Sequence, residues 1–100
     1  MLFNRARSRE IERFATELAR EFAEKHPLTD VQGERNSTKK IARAIDEVCN
    51  RAAAFQKEKQ LGVYGKAKFG TAFKWELKEL GYGDDFIDEL TRSILMRIAR

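Results

Sequence analysis

The fold is decided by residues 66–98, which read KAKFGTAFKWELKELGYGDDFIDELTRSILMRI. Apolar residues recur here at intervals of three and four on both sides of Gly81, which is typical of two amphipathic helices. The apolar side of the first helix is formed by Phe69, Phe73, Leu77 and Leu80. Because the link from Gly81 to Asp84 is short, the pattern predicts an αα-hairpin with helices over about 66–80 and 85–98.

A third helix is predicted near the start of the chain, over about 8–25, by the same periodicity. Ser8 is expected to cap its first turn, because a serine hydroxyl can accept a hydrogen bond from a free backbone N–H. Pro27 is expected to stop the helix, since proline disfavours helical geometry in the residue before it. Residues 28–36 show no periodicity and are predicted to form a loop.

A fourth and longer helix is predicted over about 37–60. Gly62 is expected to end it in a left-handed conformation, with Val63 making the apolar contact that often accompanies such an end. No segment alternates with a period of two, so no strand is predicted. The sequence therefore predicts an all-α fold, a small four-helix domain with an αα-hairpin at its C-terminal end.

Length and composition fit a single domain over residues 1–100, since a chain of this size has room for one core. Hydrophobic residues make up 42% and charged residues 36%, which is too apolar for disorder and too charged for a membrane protein. No apolar run has the length of a membrane span or resembles a signal-peptide core. The single cysteine, Cys49, falls in an apolar register, which fits a reduced and buried thiol. We therefore expect a cytoplasmic location.

No group of residues predicts a catalytic or metal site. Residues 65–71, GKAKFGT, resemble a phosphate-binding loop but lack the lysine before the threonine and a preceding strand. His26 has no second ligand at metal-binding spacing. Asp84, Asp85 and Asp88 are explained by capping and by the dipole at a helix start. The expectation is a protein that is not an enzyme, with no cofactor, no metal and no evident small-molecule substrate.

Positive charge is concentrated in the middle of the chain. The net charge is +4, and residues 36–81 hold ten Lys or Arg against five Asp or Glu. Such a region can attract nucleic acid, an acidic protein or anionic lipid, although lysines on amphipathic helices usually form only the solvated face. The first predicted helix carries a second basic stripe, formed by Arg9, Arg13 and Arg20. Phosphate contact is one use for this stripe, and pairing with Glu17 and Glu24 at i, i+4 is the commoner one.

Trp75 is the aromatic residue that does not fit the core pattern. At 100° per residue it lies about 160° from the middle of the apolar arc, on the same side as Lys68 and Lys78. One interpretation covers the indole with the N-terminal residues or with residues 27–36, because tryptophan is usually largely buried. The other makes Trp75, Lys68 and Lys78 a binding surface for a protein partner or for a second copy of the chain.

Two hypotheses for function follow. The first is a non-catalytic protein–protein interaction or regulatory module, based on the helical fold and on Trp75. The alternative is a small nucleic-acid-binding protein that uses the basic central region. The sequence shows no helix-turn-helix or RNA-recognition signature, which ranks the alternative second.

Overall fold

The computed structural model describes residues 5–25 and 38–99, without the side chains of residues 5 and 38–41. These ranges contain no strand and four helices: α1 (Arg5–Lys25), α2 (Thr38–Lys59), α3 (Gly62–Glu79) and α4 (Asp84–Ile98). The predicted all-α, four-helix fold is therefore confirmed. His26, Pro27 and the loop predicted over residues 28–36 lie outside the described residues. No helix in the described ranges combines the length and the apolar character needed to cross a membrane.

The helices alternate in direction along the chain. Ion pairs between them show that α2 runs antiparallel to α1, that α3 runs parallel to α1, and that α4 runs antiparallel to α3. The closest packing joins α1 to α3 and α2 to α4. The α3–α4 contact is the predicted hairpin, whereas the α1–α3 contact joins helices that are separated in the sequence by α2.

The core lies between these helices. From α3 it receives Phe69, Phe73 and Leu77, which are fully buried as the sequence pattern predicts. Leu80 is more exposed than predicted, because α3 ends at Glu79 and the chain turns there towards α4. The rings of Phe14 and Phe55 stack at a centroid distance of 4.0 Å and join α1 to α2. Cys49 is a free and buried thiol in α2.

Two helices begin earlier than the sequence predicts. α1 begins at Arg5, so Ser8 lies inside its first turns and does not cap it. α3 begins at Gly62, four positions before residue 66, because the chain reverses over a very short junction. Gly62 is left-handed, with φ +71°, but it does not end α2 as predicted: it begins α3, and the left-handed residue directly after α2 is Gln60, with φ +51°. Val63 is 86% exposed and makes no apolar contact of the predicted kind, since it lies on the outside of the first turn of α3.

The junction between α2 and α3 is held by hydrogen bonds to one side chain of α1 and one of α2. Arg7 of α1 donates through Nη2 to the carbonyl of Gln60 at 2.7 Å and also to the carbonyl of Lys59. The backbone N–H of Leu61 donates to Oε1 of Gln56 at 3.0 Å. Carbonyls at the end of a helix have no partner within the helix, so the guanidinium of Arg7 supplies one from outside.

Candidate functional site

Trp75 lies on the outer side of α3 and is 65% exposed. A helix turns about 100° per residue, so the complete burial of Phe73 and Leu77 directs Trp75 away from the core. α1 and α4, which flank α3, leave the indole open. The described residues thus show an exposed ring. The buried interpretation would cover it with the N-terminal residues or with residues 27–36, and residues 1–4 and 27–36 lie outside the described part of the chain.

Trp75 separates two shallow depressions on the surface. The one towards α4 has a volume of about 410 Å³ and reaches Ile87 at its floor. The one towards α1 has a volume of about 350 Å³ and includes Thr16 and Ala72. Thr71, one helical turn before Trp75, lines both depressions. A partner molecule can therefore contact the indole from either side.

Ion pairs between helices flank Trp75 on both sides within the described part of the chain. Towards α1, the pairs are Lys68 Nζ to Glu12 Oε2 at 3.2 Å and Arg20 Nε to Glu76 Oε2 at 2.9 Å. Towards α4, the pairs are Lys74 Nζ to Asp88 Oδ1 at 3.2 Å and Lys78 Nζ to Asp84 Oδ1 at 3.9 Å. We call Trp75, Thr71 and these eight charged residues the Trp75 surface. Both predicted binding lysines belong to it, and each of them faces a carboxylate.

The basic stripe predicted on the first helix is divided by the fold. Arg20 pairs with Glu76 of α3, and the hydrogen bond to this carboxylate, followed by its charge, raises the pKa of the Arg20 guanidinium. Arg9 and Arg13 are exposed on α1 and have no carboxylate at ion-pair distance among the described residues. The structure thus brings only Arg20 to the Trp75 surface, through a contact with another helix that i, i+4 spacing does not predict.

The basic centre of the sequence is largely neutralised by the fold. Carboxylates of α1 and α4 pair with Arg51, Lys59, Lys68, Lys74 and Lys78. The acids come from the ends of the chain because α1 and α4 pack beside α2 and α3. At the Trp75 surface four cations are matched by four carboxylates, so the surplus of positive charge in the sequence does not produce a basic patch there.

A third depression lies along the α3–α4 contact, and no sequence motif marked it. It is lined mainly by Ala67, Gly70 and Thr71 of α3 and by Leu95 and Met96 of α4, and its volume is about 660 Å³. Thr91 also lines it, is 3% exposed, and has an Oγ1 atom without a hydrogen-bond partner among the described residues. In the sequence, the one sign of this depression is Thr91 itself, a polar residue at an apolar position of the helical pattern, between Leu90 and Ile94.

The remaining candidates for chemistry have structural roles. Residues 65–71 form part of α3, and the N–H of Gly65 donates to the Leu61 carbonyl at 3.2 Å, so this segment is not a phosphate loop. Burial raises the pKa of the Cys49 thiol, Arg97 opposes the effect and Asp46 adds to it. A buried thiol that keeps its proton is a poor nucleophile. The described side chains contain no group of three or more His, Cys, Asp or Glu placed to hold a metal ion.

No protein-family model, curated protein or solved structure matches this chain. The geometry of the Trp75 surface is therefore the basis on which a function can be assigned.

Proposed function

We propose that this protein is a non-catalytic protein-binding module and that the Trp75 surface is its binding site. The exposed indole is the observation that carries the proposal: Trp75 is 65% exposed, on a helix whose opposite side is fully buried. Tryptophan is enriched at the centres of protein interfaces, where removal of one ring from water supplies much of the affinity. A protein surface that covered Trp75 would gain this contribution.

Charge balance favours a protein partner over a nucleic acid. Lys68, Lys74 and Lys78 each already face a carboxylate, so a phosphate backbone would have to compete with Glu12, Asp88 or Asp84 for them. Nucleic-acid affinity comes from cations that neutralise phosphates. Nucleic-acid binding, the alternative function, has few unpaired cations available. The described cations of the basic region outside ion pairs are Arg43, Lys57 and Lys66.

The Trp75 surface is also held in place before binding. Trp75 lies on a helix, and the ion pairs Arg20–Glu76 and Lys74–Asp88 join that helix to both of its neighbours. Exposed ion pairs contribute only about 0–1 kcal/mol each to stability, but they limit side-chain motion. Less conformational entropy is then lost when a partner binds. A cytoplasmic site of action is part of this proposal, because Cys49 is free and buried.

The test is site-specific cross-linking in cells. A photoreactive amino acid replaces Thr71, which lines both depressions beside Trp75, and in a control replaces Ala54, an exposed residue of α2. We expect discrete protein adducts at position 71 that disappear in the Trp75→Ala variant and under competition by excess unlabelled wild-type protein. No such adducts should form at position 54. Adducts that survive Trp75→Ala, or that nuclease removes, would contradict the proposal.

A further inference from the structure

The exposed side of α3 has a symmetric residue spacing. Five exposed residues lie on it at successive intervals of three, four, four and three positions: Tyr64, Ala67, Thr71, Trp75 and Lys78. At 100° per residue they fall within an arc of about 80°. We call them the α3 stripe. The intervals read the same in both directions from the central Thr71.

From this spacing we propose that the partner of the Trp75 surface is a second copy of this chain, with the two α3 helices antiparallel about a two-fold axis at Thr71. The proposal rests on the proposed function and names its partner. Residues equally far from Thr71 then face each other across the contact. Trp75 faces Ala67 of the partner subunit, and Lys78 faces Tyr64 of the partner subunit.

Side-chain size is complementary in this arrangement. Trp75 and Ala67 both lie about 6 Å from Thr71 along the helix axis, in opposite directions. The largest side chain of the stripe therefore meets the smallest one, and the two-fold axis produces this contact twice. At the ends, the exposed ring of Tyr64 meets the ammonium group of Lys78, a favourable cation–π contact. A parallel pair would instead place Trp75 on Trp75 and Lys78 on Lys78.

Charge is complementary as well. In this dimer, the side of α3 that faces α1 lies next to the same side of α3 in the other copy. The two α3 helices run in opposite directions. The Glu12–Lys68 pair of one copy then lies opposite the Arg20–Glu76 pair of the other. Each pair is neutral, so the contact buries no uncompensated charge. An unpaired charge at this place would oppose association.

The length of the stripe limits the size of the contact between the two copies. From Tyr64 to Lys78 it spans roughly 21 Å of helix, and a strip of this length and about 10 Å wide covers roughly 200 Å². A standard interface buries about 800 Å² per partner. Small contacts are typical of weak association, so we expect a weak dimer, with a dissociation constant on the order of 10–100 µM. The chain is then mostly monomeric at low micromolar concentration and dimeric at several hundred micromolar.

The first measurement combines sedimentation equilibrium with tryptophan fluorescence over a range of protein concentrations. Trp75 is the chain's single tryptophan, so emission reports on this position alone. We expect dimer formation together with a shift of the emission to shorter wavelength and weaker quenching by acrylamide. A monomer that persists up to about 1 mM, tenfold above the upper end of the expected range, overturns the proposal.

Substitutions at exposed positions test the location of the contact without disturbing the core. Thr71→Arg places two like charges at the axis and is expected to weaken dimerisation at least tenfold. Trp75→Ala is expected to do the same, since it removes two equivalent contacts per dimer. Ala54→Arg adds the same charge to an exposed position on α2 and should leave the dimer unchanged. Equal weakening by Thr71→Arg and Ala54→Arg overturns the proposed contact.

Disulfide cross-linking tests the register, in a Cys49→Ala background that removes the native thiol. Thr71→Cys should form a linked dimer with itself. Tyr64→Cys and Lys78→Cys should each remain monomeric alone and link when mixed. Linkage of Tyr64→Cys and Lys78→Cys each to itself would show a parallel pair and overturn the antiparallel register.

These experiments separate this proposal from the proposed function. If the protein stays monomeric but position 71 still forms Trp75-dependent adducts with a different protein, self-association is wrong and the protein-binding function stands. If the protein is monomeric and position 71 forms no such adducts, both are wrong.

Discussion

Gly65 and Leu61 approach so closely that residue 65 has no room for a side chain. A Cβ atom on Gly65 would lie 2.9 Å from the Cβ atom of Leu61 and 3.4 Å from Cδ1 of Ile11. The first contact lies at the base of a side chain and cannot be relieved by rotation. Gly70, one and a half turns later in the same helix, differs: its Cβ would lie 3.5 Å from Cδ1 of Leu95, an ordinary contact distance.

We predict opposite effects of alanine at these two glycines. Gly65→Ala should lower the free energy of unfolding by about 1–3 kcal/mol, because the methyl group forces a shift near Leu61. Gly70→Ala should raise it by up to about 1 kcal/mol, because alanine favours the helix and fits against Leu95. Urea denaturation followed by circular dichroism measures both. Changes of the same sign would contradict the packing described here.

Trp75 and Phe73 should differ sharply in their effect on stability. Phe73 is fully buried, so Phe73→Ala should cost about 3–5 kcal/mol. Trp75 is largely exposed, so Trp75→Ala should change the free energy of unfolding by less than about 1 kcal/mol. Circular dichroism is the suitable probe, since the second variant lacks tryptophan fluorescence. A large loss in Trp75→Ala at low protein concentration would show that the ring is part of the core.

Arg7 should stabilise the domain through the α2–α3 junction. Arg7→Ala removes the donor to the carbonyls of Lys59 and Gln60 and should cost about 1 kcal/mol, the usual contribution of a partly exposed hydrogen-bonding side chain. Arg9→Ala is the matched control on the same helix and should stay within about 0.5 kcal/mol of the wild type. Thermal melts of both variants provide the comparison. Equal melting temperatures for Arg7→Ala and Arg9→Ala would show that Arg7 does not stabilise the junction.

Stability should fall at alkaline pH partly through Cys49. Burial raises the pKa of this thiol in the folded chain, whereas an unfolded thiol loses its proton near pH 8.5. Above that pH the unfolded state binds fewer protons than the folded state, so the free energy of unfolding decreases as pH rises. Urea denaturation at several pH values between about 7 and 9.5 should show this slope. The slope should be smaller in Cys49→Ala, and an unchanged slope would exclude the thiol as its source.

Nucleic-acid binding by the basic central region can be tested by titration of labelled single- and double-stranded oligonucleotides at two salt concentrations. We expect weak binding at low salt and none at about 150 mM, because most described cations of the region are already paired. Tight binding with a steep salt dependence would favour the alternative function. Lys57→Ala and Lys66→Ala, which remove an exposed and a partly exposed cation outside the ion pairs, would then weaken it.

Much of the fold follows from local sequence patterns. The apolar periodicity identified all four described helices, and Gly81, with positive φ, marked the end of α3. The predicted end of α2 at Gly62 was wrong, because the left-handed residue that follows α2 is Gln60. The starts of α1 and α3 could not be predicted, because they depend on contacts between helices. Gly65 lies inside α3, where the close approach of Leu61 leaves no room for a side chain, and the sequence pattern does not reveal this contact.

The candidate site was predictable in part for the same reason. Helical geometry alone placed Trp75 opposite the core and beside Lys68 and Lys78. The carboxylates that pair with these lysines, Glu12 and Asp84, come from other helices. Pairs of this kind have no sequence spacing, so the net charge of the central region overstated the charge that the folded surface presents.

The junction that Arg7 holds also determines how two copies of the chain could exchange structure. Only Gln60 and Leu61 separate α2 from α3, and the left-handed Gln60 makes the bend. If the bend straightened, residues 38–79 would form one rod of roughly 60 Å and carry α4 away from α2. Two such open chains could complete each other's cores by domain swapping. The hydrogen bond from Arg7 to the carbonyl of Gln60 therefore stabilises the bent form of the junction. Arg7→Ala would favour the exchange.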